Sequence, residues 1–151
     1  FDMENDSKLA EKFASFNGKK IISGATTGDI ISRELNLEIE DSFEFTDPDL
    51  PPISYMEGAD LVTEGILTLS KATEILNRFN ETSVPGNGPA DKIVKFILES
   101  DRIDFLVGTG INVAHQDPSL PIELEIRRTV VKRMAKILEE KFLKQVNLSF
   151  L

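Results

Sequence analysis

Short apolar runs alternate with helical patterns along this chain, and three of the runs end in turns rich in glycine and threonine. A short continuous apolar run is typical of a buried strand, whereas apolar residues three and four apart are typical of a helix. Strands separated by helices favour an α/β fold, because two parallel strands need a long crossover connection. We therefore predict a single three-layer α/β domain over residues 1–151, with a mostly parallel sheet of about five strands flanked by helices.

Two stretches of the chain depart from a regular alternation of strands and helices. Phe43 and Phe45 alternate with polar residues, which predicts a strand, and the prolines within 47–58 predict a loop. Because no helix connects that strand to the next one, near residue 61, we expect one of the two to run antiparallel or to lie at an edge. The longest helix is predicted over 120–142. Its inward stripe comprises Ile126, Val130, Met134, Ile137 and Leu138.

The three glycine–threonine turns predict a ligand site. In open α/β sheets ligands bind beyond the carboxyl ends of the strands, and helix N-termini favour anions there. We hypothesise that segments 24–29, 63–65 and 108–112 line one cleft, where backbone N–H groups at 27 to 29 and 64 to 66 face a phosphate or carboxylate. The alternative is that a threonine of the first turn, Thr26 or Thr27, caps a helix and the glycines only allow tight packing. The candidate ligand-binding residues are Gly24, Thr26, Thr27, Gly28, Asp29, Thr63, Glu64, Gly65, Gly108, Thr109, Gly110, Asn112 and His115.

Further titratable residues offer weaker chemical signals. His115 precedes Asp117 by two residues, and such a pair either binds a metal or orients a general base, or braces a loop. Glu57, Asp60 and Glu64 are either metal ligands or ordinary turn and surface residues. Neither group has the spacing of a known catalytic or metal-binding motif, so we assign no catalytic residue and no metal ligand.

The charge balance narrows the class of partner. The chain has 26 acidic and 17 basic residues, a net charge of −9, so its field repels nucleic acids and anionic membranes. It has no cysteine, no apolar run of the roughly 18 residues that a membrane span needs and no signal-peptide pattern, so we expect a cytoplasmic protein. The first residue is not Met, which suggests a domain cut from a longer chain. Basic residues cluster on the last helix among glutamates, either as a salt-bridged solvent face or as a dock for an anion: Arg127, Arg128, Lys132, Arg133 and Lys136.

Three long stretches of the sequence resemble the C-terminal region of bacterial proteins in the stage II sporulation E (SpoIIE) phosphatase family. They read IISGATTGDIISREL, MEGADLVTEGILTLSKA and IDFLVGTGINVAHQDPSLPIELEIRRTVVKRMAKILEE, and the resemblance covers most of residues 16–140. The family's first turn usually reads Cys-Gly-Gly-Thr-Thr, where this chain has Ser23 and Ala25. Its third turn reads GTAINPAHQDP, where this chain has Gly110 and Val113. The missing cysteine removes any thiol chemistry from the first turn.

The resemblance implies a place in a larger protein. Family members begin with a metal-dependent serine/threonine phosphatase domain, and the α/β region follows it. Nothing in this sequence matches the aspartates that bind Mn or Mg in that domain, so no cofactor is expected in this fragment and no catalytic residue is carried over. We expect a non-catalytic regulatory or ligand-sensing domain whose partners are its own phosphatase domain and a small anionic ligand. The alternatives are a small enzyme acting on a phosphorylated or carboxylated substrate at the same edge, or a module that forms a homodimer.

Overall fold

The computed structural model describes residues 3–108 and 120–151, and these residues form a mixed α/β fold. No helix in these two ranges is long and apolar enough to cross a membrane. In chain order the elements are α1 (Met3–Ser15), β1 (Ile21–Ser23), α2 (Ala25–Leu35), β2 (Ile39–Asp41), β3 (Ser54–Met56), β4 (Leu61–Thr63), α3 (Ile66–Arg78), α4 (Pro89–Leu98), β5 (Arg102–Val107), α5 (Leu120–Glu140) and β6 (Gln145–Phe150).

The described strands form two sheets rather than one. The first has the order β1-β4-β3-β2, with β1 and β4 parallel and the other neighbours antiparallel; the second is the parallel pair β5-β6. The prediction of a mostly parallel sheet is therefore wrong. The reason lies in β3, which forms inside the segment predicted as a loop and is joined to β4 by only a few residues, too few for a parallel crossover. One of the two strands that flank the predicted loop was expected at an edge of the sheet, and β2, which precedes that loop, lies at an edge and pairs antiparallel with β3.

The strand predicted over Phe43 and Phe45 is also wrong. Their side chains are 91% and 64% exposed, and β2 ends before them, at Asp41. Asp41 pairs with Ser54, and the Ser42 amide still donates to the Ile53 carbonyl at 3.0 Å. Hydrogen-bonded pairs alternate along an antiparallel ladder, so the next one in this register would join Glu44 to Pro51. Pro51 has no N–H to donate, so the ladder stops.

The main hydrophobic core lies among α3, α4 and α5. Met134 and Leu138 of α5 are fully buried there, as the inward stripe predicts, but Ile126 is 45% exposed. Helix α5 contacts α3 through its second half, where Arg133 pairs with Glu74, and Lys141, directly after α5, donates from its ammonium to the Leu76 carbonyl. Ile126 lies two turns before Arg133, on the first half of the helix, which explains why the stripe fails at its first member.

A second core cluster covers the other face of the four-stranded sheet. Phe13 of α1 and Ile31 of α2 pack there against Ile22 of β1 and Val62 of β4. The neighbouring residue in β4, Leu61, belongs to the main cluster, because successive side chains of a strand point to opposite faces. Strand β4 is thus buried on both faces and fixes the position of β1 beside it.

Candidate functional site

The first two glycine–threonine turns meet, as expected for turns that follow neighbouring parallel strands. The Gly24 amide donates to the Thr63 carbonyl at 2.9 Å, and the Ala25 amide donates to the Glu64 carbonyl at 2.8 Å. A Cβ atom built on Gly65 would lie 3.4 Å from the Cα atom of Gly24. The two turns therefore pack backbone against backbone, and glycine permits that close approach.

Both turns lead directly into helices that lack a side-chain cap. Gly24 is the N-cap of α2 and Gly65 is the N-cap of α3, so the alternative in which Thr26 or Thr27 caps the helix is wrong. An α-helix leaves its first N–H groups without an intrahelical partner. Here no capping side chain takes up these donors, and the positive ends of two helix dipoles lie side by side.

The amides available to a ligand differ from those expected. The Gly28 amide donates to the Gly24 carbonyl, and the Ala25 amide is used by the second turn. Asp29 follows in the helix interior, where its amide has a regular partner one turn earlier. The free donors of α2 are therefore the amides of Thr26 and Thr27, one residue earlier than the predicted set.

The third turn is described only at its first residue. The Gly108 carbonyl accepts a hydrogen bond from the Arg127 Nη1 atom at 3.3 Å. The remaining candidates of this turn lie outside the described residues, as does the His115–Asp117 pair: Thr109, Gly110, Asn112 and His115.

A cleft of about 740 Å³ separates β1 from β5. Ser23 and Thr27 line it at the end of β1, and Val107 and Arg127 line it at the end of β5. The structure thus brings Thr27 of the first turn to one cavity with Val107, the residue that precedes the third turn. Gly24, Thr26, Gly28, Asp29 and Gly108 do not line this cavity. The second turn, residues 63–65, lies behind the first and supports it without lining the cavity among the described residues.

The walls of this β1–β5 cleft are largely apolar, and its volume lies within the range of small-molecule pockets. Its floor reaches the main core at Ile97 and Met134. Three aromatic rings also line the cleft: Phe13 lies on α1, Phe16 directly follows α1, and Phe96 lies on α4.

The charged groups of the cleft have the opposite sign to the protein as a whole. Among the described residues that line it, five are basic and one is acidic, although the chain carries a net charge of −9. The single carboxylate, Asp104, accepts two hydrogen bonds from Arg102, which hold the pKa of Asp104 below its usual value, as does the Asn147 amide. The basic residues are Lys12, Lys19, Lys20, Arg102 and Arg127.

Three of these cations have no carboxylate partner in the described part of the chain. The Lys20 ammonium donates to the Ala14 carbonyl at 2.9 Å and lies 5.5 Å from the centre of the Phe13 ring. Among residues 3–108 and 120–151, Arg127 binds only the Gly108 carbonyl, and Lys12 forms no ion pair. Carbonyl oxygens and an aromatic ring carry no net charge, so an anion in the cleft meets uncompensated positive charge.

Sequence reasoning does not single out the three lysines of this cleft. Lys12 lies on α1, and Lys19 and Lys20 lie just before β1. The one signal that points to them is the pair Lys19-Lys20 directly before the first apolar run. In the sequence, Arg127 belongs to the cluster of basic residues on the last helix, and nothing there points to this cleft.

The remaining candidates form no second site in the described ranges. Asp60 accepts the Lys20 amide at 2.7 Å and lies 3.7 Å from the Lys19 ammonium, so it braces the start of β1. No group of three or more His, Cys, Asp or Glu side chains is placed to hold a metal ion among residues 3–108 and 120–151. On the basic helix, Arg133 pairs with Glu74, as a salt-bridged face predicts.

Comparison with known proteins identifies no relative. No family model, no curated protein and no solved structure matches this chain. The resemblance to the SpoIIE family therefore stays an expectation based on the three stretches quoted above, and the cleft is interpreted from its own geometry.

Proposed function

We propose that this chain is a non-catalytic, ligand-sensing domain that binds a small anion at the mouth of the β1–β5 cleft. The observation that carries the proposal is that Thr27 and Arg127, which belong to distant segments, line the same cavity. In the proposed setting the domain regulates a SpoIIE-like serine/threonine phosphatase domain of the same protein, and three layers of helix, sheet and helix present the site.

Three kinds of group favour an anion at this position. The uncapped first turn of α2 offers the amides of Thr26 and Thr27. Arg127 adds a charged donor from α5, where its guanidinium already binds the Gly108 carbonyl. The hydroxyl of Ser23 completes the set, since it lines the cleft and its one hydrogen bond to a described residue is accepted from the Thr63 hydroxyl at 3.4 Å.

The same residues favour binding over catalysis. A serine or threonine nucleophile needs a base within hydrogen-bond reach. In the described part of the chain, neither Ser23 nor Thr27 forms a hydrogen bond to a carboxylate or an imidazole. The one carboxylate of the cleft, Asp104, is held in its ionised form by Arg102, so it is a poor proton acceptor at neutral pH.

Titration with inorganic phosphate and with acetate, followed by NMR of the backbone amides, tests the proposal. We expect the signals of Thr26 and Thr27 to shift and Arg127→Gln to weaken binding by about tenfold or more, because a charge-assisted hydrogen bond is lost. Arg128→Gln removes the same charge one residue along α5, outside the cleft lining, and should leave binding unchanged. Equal weakening by both variants would show a diffuse charge effect and reject the site.

A further inference from the structure

The outer edge of β1 faces the cleft with backbone groups that no described residue pairs with. The Leu61 amide donates to the Lys20 carbonyl, and the Gly24 amide donates to the Thr63 carbonyl. Residues 20, 22 and 24 therefore direct their backbone groups toward β4, and the backbone N–H and C=O groups of Ile21 and Ser23 point the other way. Strand β1 ends its sheet on that side, and all three of its residues line the cleft.

The facing edge of β5 is equally open. The Gln145 amide donates to the Asp101 carbonyl, and the Leu151 amide donates to the Val107 carbonyl. Odd-numbered residues of β5 thus bond to β6, and the backbone groups of Arg102, Asp104 and Leu106 point away from it. Every residue of β5 lines the cleft. Two strand edges therefore border one largely apolar cavity, and their outward donors and acceptors have no partner within residues 3–108 and 120–151.

We propose that the ligand of this cleft is an extended peptide that adds as a strand to β1 and places its C-terminal carboxylate at Thr27 and Arg127. The inference rests on the proposed anion site and names the class of molecule that carries the anion. Strand addition at a sheet edge and capture of a terminal carboxylate by backbone amides are both general modes of peptide recognition.

The position of the carboxylate sets the direction of the peptide. Thr27 follows the carboxyl end of β1, so a strand that ends there runs parallel to β1. Parallel pairing is already the arrangement on the other side of β1, with β4, and between β5 and β6. The added strand continues that pattern and gives partners to the free N–H and C=O groups of Ile21 and Ser23.

The opposite end of the cleft selects an acidic residue. Lys12 and Lys20 line the cleft at the start of β1, and neither has a carboxylate partner among the described residues. Strand β5 has six residues, about 20 Å of extended chain. A peptide of similar length reaches from Thr27 to the lysines, so we expect apolar side chains near its C-terminus and an acidic side chain about four residues earlier.

A fatty acid is the main competing ligand, and the open strand edges disfavour it. Its chain fills an apolar cavity and its carboxylate suits Arg127, but it has no donors or acceptors for the backbone of β1 and β5. Those groups would be shielded from water without a partner, which costs free energy. An extended peptide has apolar side chains that contact the cleft walls and backbone groups that form hydrogen bonds with the strand edges.

Binding of one peptide in two forms tests the proposal. The probe is acetyl-Glu-Val-Thr-Val-Leu with a free C-terminal carboxylate, and its control is the same peptide as a C-terminal amide. We expect the acid to bind about tenfold or more tightly than the amide, and Arg127→Gln to abolish this difference whereas Arg128→Gln preserves it. Exchange of the Ile21 and Ser23 amides should slow on binding, and that of Ile22, already paired with β4, should not.

Each other outcome overturns the inference in a distinguishable way. If decanoate binds as tightly as the peptide acid and no amide of β1 is protected, the ligand is not a peptide. If phosphate or acetate binds in an Arg127-dependent manner and the peptide does not bind, the anion site stands and the strand addition fails. If no anion binds at all, the proposed function fails as well.

Discussion

Gly65 packs directly on Gly24: a Cβ atom added to Gly65 would lie only 3.4 Å from the Cα atom of Gly24. Through this contact the backbone of the α3 turn supports the backbone of the α2 turn, and the hydrogen bonds from Gly24 and Ala25 hold the two together. The conformation of Gly24, with φ of 132°, is one that only glycine adopts without strain.

Gly24→Ala should therefore destabilise the fold through backbone strain. The space around an added Cβ is ordinary, since its nearest neighbour is the Thr27 Oγ1 atom at 3.7 Å, so the cost is conformational and amounts to about 1–3 kcal/mol. Urea unfolding measures it. Gly28→Ala is the control, because Gly28 lies inside α2 and its added Cβ meets Ile39 at 3.5 Å. That variant should be neutral or more stable by up to about 1 kcal/mol, and equal losses in both variants would contradict the strain argument.

Met134→Asp should cost several kcal/mol. The Met134 side chain is fully buried among α3, α4 and α5, where a carboxylate finds no compensating charge. Thermal or urea unfolding provides the measurement. Lys136→Asp places the same side chain on an exposed position of α5 and should cost less than about 1 kcal/mol. A small effect at Met134 would mean that α5 is packed differently.

Phe43→Ala should leave the stability within about 0.5 kcal/mol, in spite of the large apolar side chain that is lost. Phe43 is almost fully exposed, whereas Phe13 is buried in the second core cluster. Phe13→Ala should therefore cost about 3–5 kcal/mol in the same unfolding assay. A large loss from Phe43→Ala would indicate that residues 42–46 are covered in solution, which a concentration-dependent sedimentation experiment would then attribute to a second copy or exclude.

The free energy of unfolding should decrease at acidic pH, in part because Asp104 becomes protonated. Hydrogen bonds from Arg102, and to a smaller extent from Asn147, lower the pKa of Asp104 in the folded state below its ordinary 3.8. The unfolded state then binds more protons near that pH. The contribution is therefore complete above the unfolded-state pKa and disappears as the pH falls through the folded-state pKa. The stability difference between wild type and Asp104→Asn should be constant above about pH 5 and vanish at strongly acidic pH. A difference that stays constant down to pH 2 would contradict this origin.

The elements predicted correctly are those with a strong local pattern. Helices α3 and α4 have apolar residues at helical spacing, and four of the six residues of β5 are apolar, so local preference and tertiary packing agree. Strand β3 was missed because three residues among prolines give no periodic signal. Its existence depends on pairing with β2 and β4, which no local pattern records.

Sequence predicts only the part of the site that follows from the order of strands and turns along the chain. Two turns that follow strands at the same edge of a sheet meet if the strands are neighbours, and β1 and β4 are neighbours. The cleft exists because β1 and β5 do not pair, and the cations that line it come from four places: α1, the residues just before β1, β5 and α5. Such a convergence is a property of the tertiary fold, so the sequence alone does not indicate it.

The separation of the sheets also bears on how the protein loses its structure. No backbone ladder joins β1 to β5 among the described strands, so hydrogen bonds alone would allow the two sheets to melt independently. A single apolar cluster nevertheless contacts both sheets, through Ile21 and Leu61 on one side and Ile103 and Val146 on the other. Because these side chains share the same buried neighbours on α3, α4 and α5, neither sheet can detach without exposing the common core to water. The chain should therefore melt in one cooperative transition, with side-chain packing rather than a continuous sheet as the source of that cooperativity.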